Sequence, residues 1–399
     1  MSQYNAGEAT SATISNVSEN ADRVVKGGKR STRLAFFIAG FALACWAPLV
    51  PFAQARMHAD SALLGTILLC LGFGAVLGMP LASALAGRVG TKPLIIAGGF
   101  GLVITMPLLA TLSSPELLGL CLIGFGASIG AIDVAANIHG IEVQNLAKTP
   151  LMSGFHGMYS LGGLIGASGM AGLLTAGVPV AIAAAVACLV ILGCVLTAMP
   201  GFLITKSEEK HPLFVAPKGY VITIGVLLFI IFLAEGAMLD WSAILFTQHK
   251  HVDVSASGTG YAAFAIAMAV SRVVGDKLVS RFGERTMLMF GFLVTGLGVA
   301  MVAALPSYVG VMIGMVVAGF AAGNIVPALF NLTSRQKVMP AQQAVAAVSI
   351  LGYLGVLAGP GAIGHAAHYI GLIASFYSVA ALVIVVMLVV PSLCAKVGH

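Results

Sequence analysis

The chain has 399 residues, of which 59% are hydrophobic and only 9% charged, and its mean hydropathy is +1.02. So few charges cannot cover so apolar a chain in water, which excludes an ordinary soluble domain. The net charge of +6 would suit nucleic acid, but the cations sit in short breaks between apolar blocks and form no patch. No partner of that kind is expected.

Residues 1–32, rich in Ser, Asn and Thr, are expected to be a disordered tail. The apolar run behind them starts too late and continues too far for a signal peptide. From residue 33 onward, apolar blocks of roughly 20 residues recur, the length that crosses about 30 Å of hydrocarbon as helix. Backbone groups in lipid must pair within their own segment, so these blocks predict helices. Twelve spans are expected, near 33–55, 61–86, 93–112, 115–140, 151–174, 178–200, 219–247, 257–280, 286–305, 308–331, 344–364 and 369–391. Lys and Arg number 18 on one side of this topology and 2, Arg56 and Lys250, on the other. The positive-inside rule then puts both termini in the cytoplasm. The six cysteines lie in or beside apolar spans and read as packing thiols.

An offset of 193 residues superimposes the two halves: Arg88 falls on Arg281, Gly90 on Gly283, Gly126 on Gly319, Gly130 on Gly323, Gly162 on Gly355 and Gly166 on Gly359. Six spans return the chain to its starting side, so the halves are parallel. The fold class is therefore an all-α membrane protein of twelve transmembrane helices in two pseudo-symmetric six-helix bundles. The bundles are residues 33–200 and 219–391, joined by a linker at 201–218 and followed by a tail at 392–399. The repeated Gly-x-x-x-Gly pairs put small residues on one helix face, for close packing or for a hinge.

With these features the chain resembles the major facilitator superfamily from residue 33 to 391. Arg88-x-Gly90-x-Lys92 and Arg281-x-Gly283-x-Arg285 are similar to its basic loop motif, with Gly87 and Ser280 where an Asp normally stands. Asp133-Val-Ala-Ala-Asn137 and Asn324-Ile-Val-Pro327 resemble segments of the fucose–proton symporter-like carriers. Phe155-His156-Gly157-Met158-Tyr159 and Ala234-Glu235-Gly236-x-x-x-Asp240-Trp241 look like the bacterial inner-membrane YbjJ-like proteins. The resemblance implies the membrane of a bacterium, the carrier fold, and transport by alternating access.

Ionisable residues within apolar spans are costly and mark functional sites or satisfied interior pairs. Glu235, about 16 residues into its helix, lies near or just beyond the midplane at 1.5 Å per residue. Asp240 lies about 7.5 Å farther out by the same rise. Asp133 and His156, on consecutive antiparallel helices, are expected to pair. A low-dielectric cavity favours the neutral form of a carboxyl group and a nearby cation its charged form, which is how such a group loads and releases a proton. Asp133, His156 and Glu235 are thus the candidates for proton coupling, against a purely structural role for each. Glu235, Asp240, Asn137, Asn324, Tyr159, Tyr353, Trp46 and Trp241 are the candidates for contacts with solute. Arg88, Lys92, Arg272, Arg281 and Arg285 are candidates for a cytoplasmic gate; Arg272 is alternatively half of an intrahelical pair with Asp276.

The expected function is secondary transport of a small polar solute such as a sugar, driven by protons, by a monomer whose partners are that solute, protons and the lipid bilayer. Proton-driven efflux of amphipathic compounds and a transporter-like sensor are the alternatives. No cofactor, metal or enzymatic motif is expected; His-x-His and His-x-x-His in outer loops (His249 to His251, His365 to His368) are weak metal signals.

Overall fold

The computed structural model describes residues 4–59, 61–204, 216–249 and 259–397. The helices in chain order are α1 (Tyr4–Trp46), α2 (Val50–Met57), α3 (Ser61–Val89), α4 (Thr91–Thr111), α5 (Pro115–Ala147), α6 (Met152–Thr175) and α7 (Val180–Ala198). The second half holds α8 (Tyr220–His249), α9 (Thr259–Ala304), α10 (Tyr308–Ala322), α11 (Ile325–Arg335), α12 (Ala341–Ile370), α13 (Leu372–Val386) and α14 (Val390–Val397). Ten helical stretches among the described residues are long and apolar enough to cross a membrane, and Ala341–Val356 of α12 is a shorter apolar stretch. One of the ten, α9, is two spans that fold back at Gly283, where φ is 76°; only glycine adopts that conformation without strain. The result is twelve crossings.

The bundle packs as the glycine repeat requires. A Cβ on Gly126 would meet the Leu71 carbonyl, and one on its counterpart Gly319 the Phe264 carbonyl, with both contacts far inside van der Waals distance. Gly162 and Gly355 stand in the same way against Phe37 and Phe229. Thus α3 packs on α5 and α10 on α9, while α1 packs on α6 and α12 on α8. The halves meet along two pseudo-symmetric seams, α6 against the first arm of α9 and α12 against α3.

The expected unstructured tail differs. Helix α1 begins at Tyr4, and its residues 27–32 pack against the bundle. Buried Gly28 sits against Val143. The Ser31 hydroxyl donates to Ala198 O at 2.7 Å, and Thr32 Oγ1 lies 2.8 Å from His139 Nδ1. Small residues at one face let this helix approach its neighbours, a signal that polar composition hid. All six cysteines are free thiols, with Cys45 and Cys121 buried. Much of the expected linker, 205–215, and residues 250–258 lie outside the described residues.

Candidate functional site

The centre of the molecule is organised around a gap in a helix. Pro327 has no N–H to donate to the carbonyl four residues earlier. That carbonyl belongs to Gly323, at the break between α10 and α11. Arg272 Nε occupies it at 3.1 Å, and Arg272 Nη1 donates to Ser160 Oγ in the other half at 2.6 Å. Arg272 is only 6% exposed, with Glu235, Tyr159 and Tyr261 within electrostatic range of its guanidinium.

The intrahelical pair expected between Arg272 and Asp276 does not form. Nor is Arg272 part of a gate at the membrane surface; it belongs to the buried centre. Asp276 instead accepts from Ser153 N at 3.0 Å and Gly154 N at 2.9 Å. The first turn of any helix leaves N–H groups without intrahelical partners, and a carboxylate is well suited to them. For Asp276 that start of a helix in the other half competes better than an arginine already committed elsewhere.

Asp133 and His156 approach each other through a third residue. Asn137 Nδ2 donates to Asp133 O at 2.9 Å and lies 3.4 Å from Asp133 Oδ1, while Asn137 Oδ1 is 3.2 Å from His156 Nε2. An amide oxygen only accepts, so His156 Nε2 carries the hydrogen. The expected direct pair is thus a relay through a fully buried Asn137. The His156 ring lies between Phe36, at 4.9 Å, and Phe330 of the other half, at 5.7 Å between centroids.

Around these buried groups stand half-buried ones: Asp133, Tyr159, Glu235, Tyr261 and Tyr353. Asp133, Glu235, Arg272 and Tyr261 all lie within electrostatic range of Tyr159, and Asp133 within range of Tyr353. Glu235 Oε1 has no hydrogen-bond partner in the protein. Across the seam Ser349, the 193-residue counterpart of His156, faces the Asp133 carboxylate. The arrangement offers two carboxylates, a cation and three phenols to one central space.

The other expected residues fare differently. Asn324, 3% exposed, spends its amide on Ser271 O and Oγ at 3.0 and 2.7 Å, bracing α9 against the helix break. Its buried Oδ1 has no hydrogen-bond partner in the protein. Trp46 is 4% exposed and Trp241 half-buried, each with an indole N–H that has no partner. The Asp240 side chain lies outside the described residues. Arg88, Arg281 and Arg285 are exposed and Lys92 half-buried, Arg281 lying over the Phe282 ring at 5.3 Å. A nearby ion pair, Arg335 with Glu284, joins two elements of the same half.

The seam at the face where both termini emerge is built by residues not singled out as gates. Gln144 Nε2 donates to Asn331 Oδ1 at 2.9 Å, and Gln144 Oε1 receives Leu151 N at 2.7 Å. Ser83 Oγ donates to Gln342 O at 3.2 Å. With Asp276, these bonds join α3, α5 and α6 to α9, α11 and α12 at one face, while the central carboxylates keep some exposure. Gln144, a polar residue eight positions before the next helix begins, is the signal that was available for this cap.

Twelve helices in two parallel halves, with ionisable groups meeting at their seam, define a membrane carrier. Comparisons with known proteins agree. The model of the Major Facilitator Superfamily matches residues 33–336 and 224–395. An uncharacterized MFS-type transporter of Yersinia pestis is 44% identical over 358 residues, spanning 89% of this chain and 93% of that protein. The membrane protein MosC of Rhizobium meliloti is 28% identical over 345 residues, 84% of this chain and 83% of that one. Among solved structures, the fucose:proton symporter of E. coli has a TM-score of 0.74 at 15% identity, covering 91% of this chain and 97% of that one. The human organic anion transporter TETRAN has 0.72 at 17% identity, covering 93% and 99%. The chain belongs to the Major Facilitator Superfamily: it is a multi-pass membrane transporter of small molecules and not an enzyme.

Proposed function

We propose that this carrier is a proton-coupled symporter of a small, hydroxyl-bearing organic solute, a monosaccharide being the type, acting as a monomer in a bacterial plasma membrane with both termini cytoplasmic. The observation that carries the reading is the placement of one carboxylate from each half, Asp133 and Glu235, half-buried and both within electrostatic range of Tyr159. A carboxyl group that alternates between wet and dry surroundings changes its proton affinity. Phenols and a carboxylate oxygen free of protein partners suit the hydroxyls of a neutral solute.

A second reading, carriage of an organic anion, draws on buried Arg272 and on the likeness to TETRAN. Glu235 lies within electrostatic range of Arg272 and offsets its charge, which favours the neutral solute. The test is uptake into liposomes under an imposed inward proton gradient, screened against sugars, polyols, organic anions and lipophilic dyes. Accumulation of a neutral polyhydroxy compound that a protonophore collapses is the expected result. Gradient-driven extrusion of dyes, or uptake indifferent to the gradient, overturns the proposal.

A further inference from the structure

Where α1 leaves the bundle it meets the end of α7, away from the central site. A Cβ on Gly201 would lie 2.7 Å from Gly27 O, so the two backbones touch. Beside this contact is an open cavity of about 580 Å³. Arg23 and Arg30, two helical turns apart on one face of α1, line it, with Val24, Leu203 and Ile204 as apolar wall. Both arginines are exposed, and Ile204 is 81% exposed.

The cavity continues into a stripe on α7. Ile182, Val186, Leu189 and Leu196 are exposed at helical spacing and lead to Thr197 and Pro200 at the cavity wall. Any membrane helix turns some apolar side chains to lipid. This stripe differs in that it runs into a concave site holding two guanidinium groups. Guanidinium is suited to phosphate oxygens, which it can grip with two parallel hydrogen bonds. A phosphate at the rim with a hydrocarbon chain down the stripe matches both parts.

We propose that this groove binds an anionic phospholipid, its phosphate between Arg23 and Arg30 and an acyl chain along the exposed face of α7. Basic recesses between helices at a membrane surface are recognised by acidic headgroups in general. The position gives the lipid a task. Leu203, in the cavity wall, is also the residue whose N–H is held by His139 Nε2 at 2.9 Å. A lipid seated there braces the base of α1 against the start of the segment that joins the two halves.

The test is native mass spectrometry of the full chain in detergent, supplied with phosphatidylglycerol or with phosphatidylcholine of the same acyl chains. Retention of phosphatidylglycerol over phosphatidylcholine is expected. In the R23Q/R30Q variant that retention should weaken by roughly tenfold or more, as removal of two basic contacts implies. A second variant, T197W, keeps both charges but fills the groove, and should lose the lipid equally. Melting temperatures of both variants in phosphatidylcholine alone should match the parent protein. Equal retention of the two lipids overturns the proposal, as does retention unchanged in both variants. So does displacement of the lipid by millimolar inorganic phosphate, which would make the site one for a free anion.

Discussion

Asp133 and Glu235 differ in what holds them, and that difference separates their expected roles. Asp133 is tethered to Asn137 and, through it, to His156 in its own half, whereas Glu235 has an oxygen with no protein partner. A tethered carboxyl group that changes its proton is a coupling group; an untethered one is available to the solute. Asp133→Asn mimics a permanently protonated carboxyl group. It should abolish accumulation against a gradient while leaving counterflow exchange measurable. Accumulation with unchanged pH dependence would make Asp133 structural. For Glu235→Gln, charged hydrogen bonds of about 1.5–3 kcal/mol each imply a loss of roughly tenfold or more in solute affinity, read by equilibrium binding. Stability should change little, because Glu235 Oε1 has no hydrogen bond in the protein to lose; normal binding with a lower melting temperature would place the residue in packing. Depth along a helix was legible for both residues, since it follows from counting. Their partners were not, because counting along one helix says nothing of how its neighbour is rotated. That is why Asp133 and His156 read as a direct pair, and why Arg272 read as a partner of Asp276 when its bonds run to Gly323 and Ser160.

At the scale of the element, the break between α10 and α11 is what gives Arg272 its place. The Asn324-Ile-Val-Pro327 run was visible in the sequence, but the carbonyl it frees gains meaning only once α9 lies alongside. Pro327→Ala restores a backbone N–H that can reach Gly323 O, in competition with Arg272 Nε. The expected outcome is a melting temperature equal to or above that of the parent, since a helix regains a hydrogen bond. Transport should fall about tenfold as a charge-assisted contact is lost. Loss of stability with normal transport would show that the kink serves packing alone. Helix pairing itself was the most legible feature, because the glycines repeat at a fixed offset for a steric reason that the sequence states twice.

The whole molecule poses the question of orientation and of how it opens. Cations counted along the chain predict that the termini are cytoplasmic. In a cysteine-free background, Ser113→Cys, in the loop between α4 and α5, should react with an impermeant thiol reagent added to intact cells. Thr149→Cys, between α5 and α6, should react only after lysis; the reverse pattern would invert the topology.

The two seams between the halves are related by the repeat, yet they are not closed alike. On one, Asp276 grips the first amides of α6 with a charge. On the other, its 193-residue counterpart is Ser83, whose hydroxyl makes a single neutral bond to Gln342 O. A charged cap is worth more than a neutral one, so the face should unzip from the α3–α12 side and let go last at α6. The motion is then a peel, with the two seams separated in time. Amide hydrogen exchange reads this directly: Ser153 and Gly154 should be protected longer than the first amides of α12. Asp276→Asn should erase that lag, turning an ordered release into a simultaneous one.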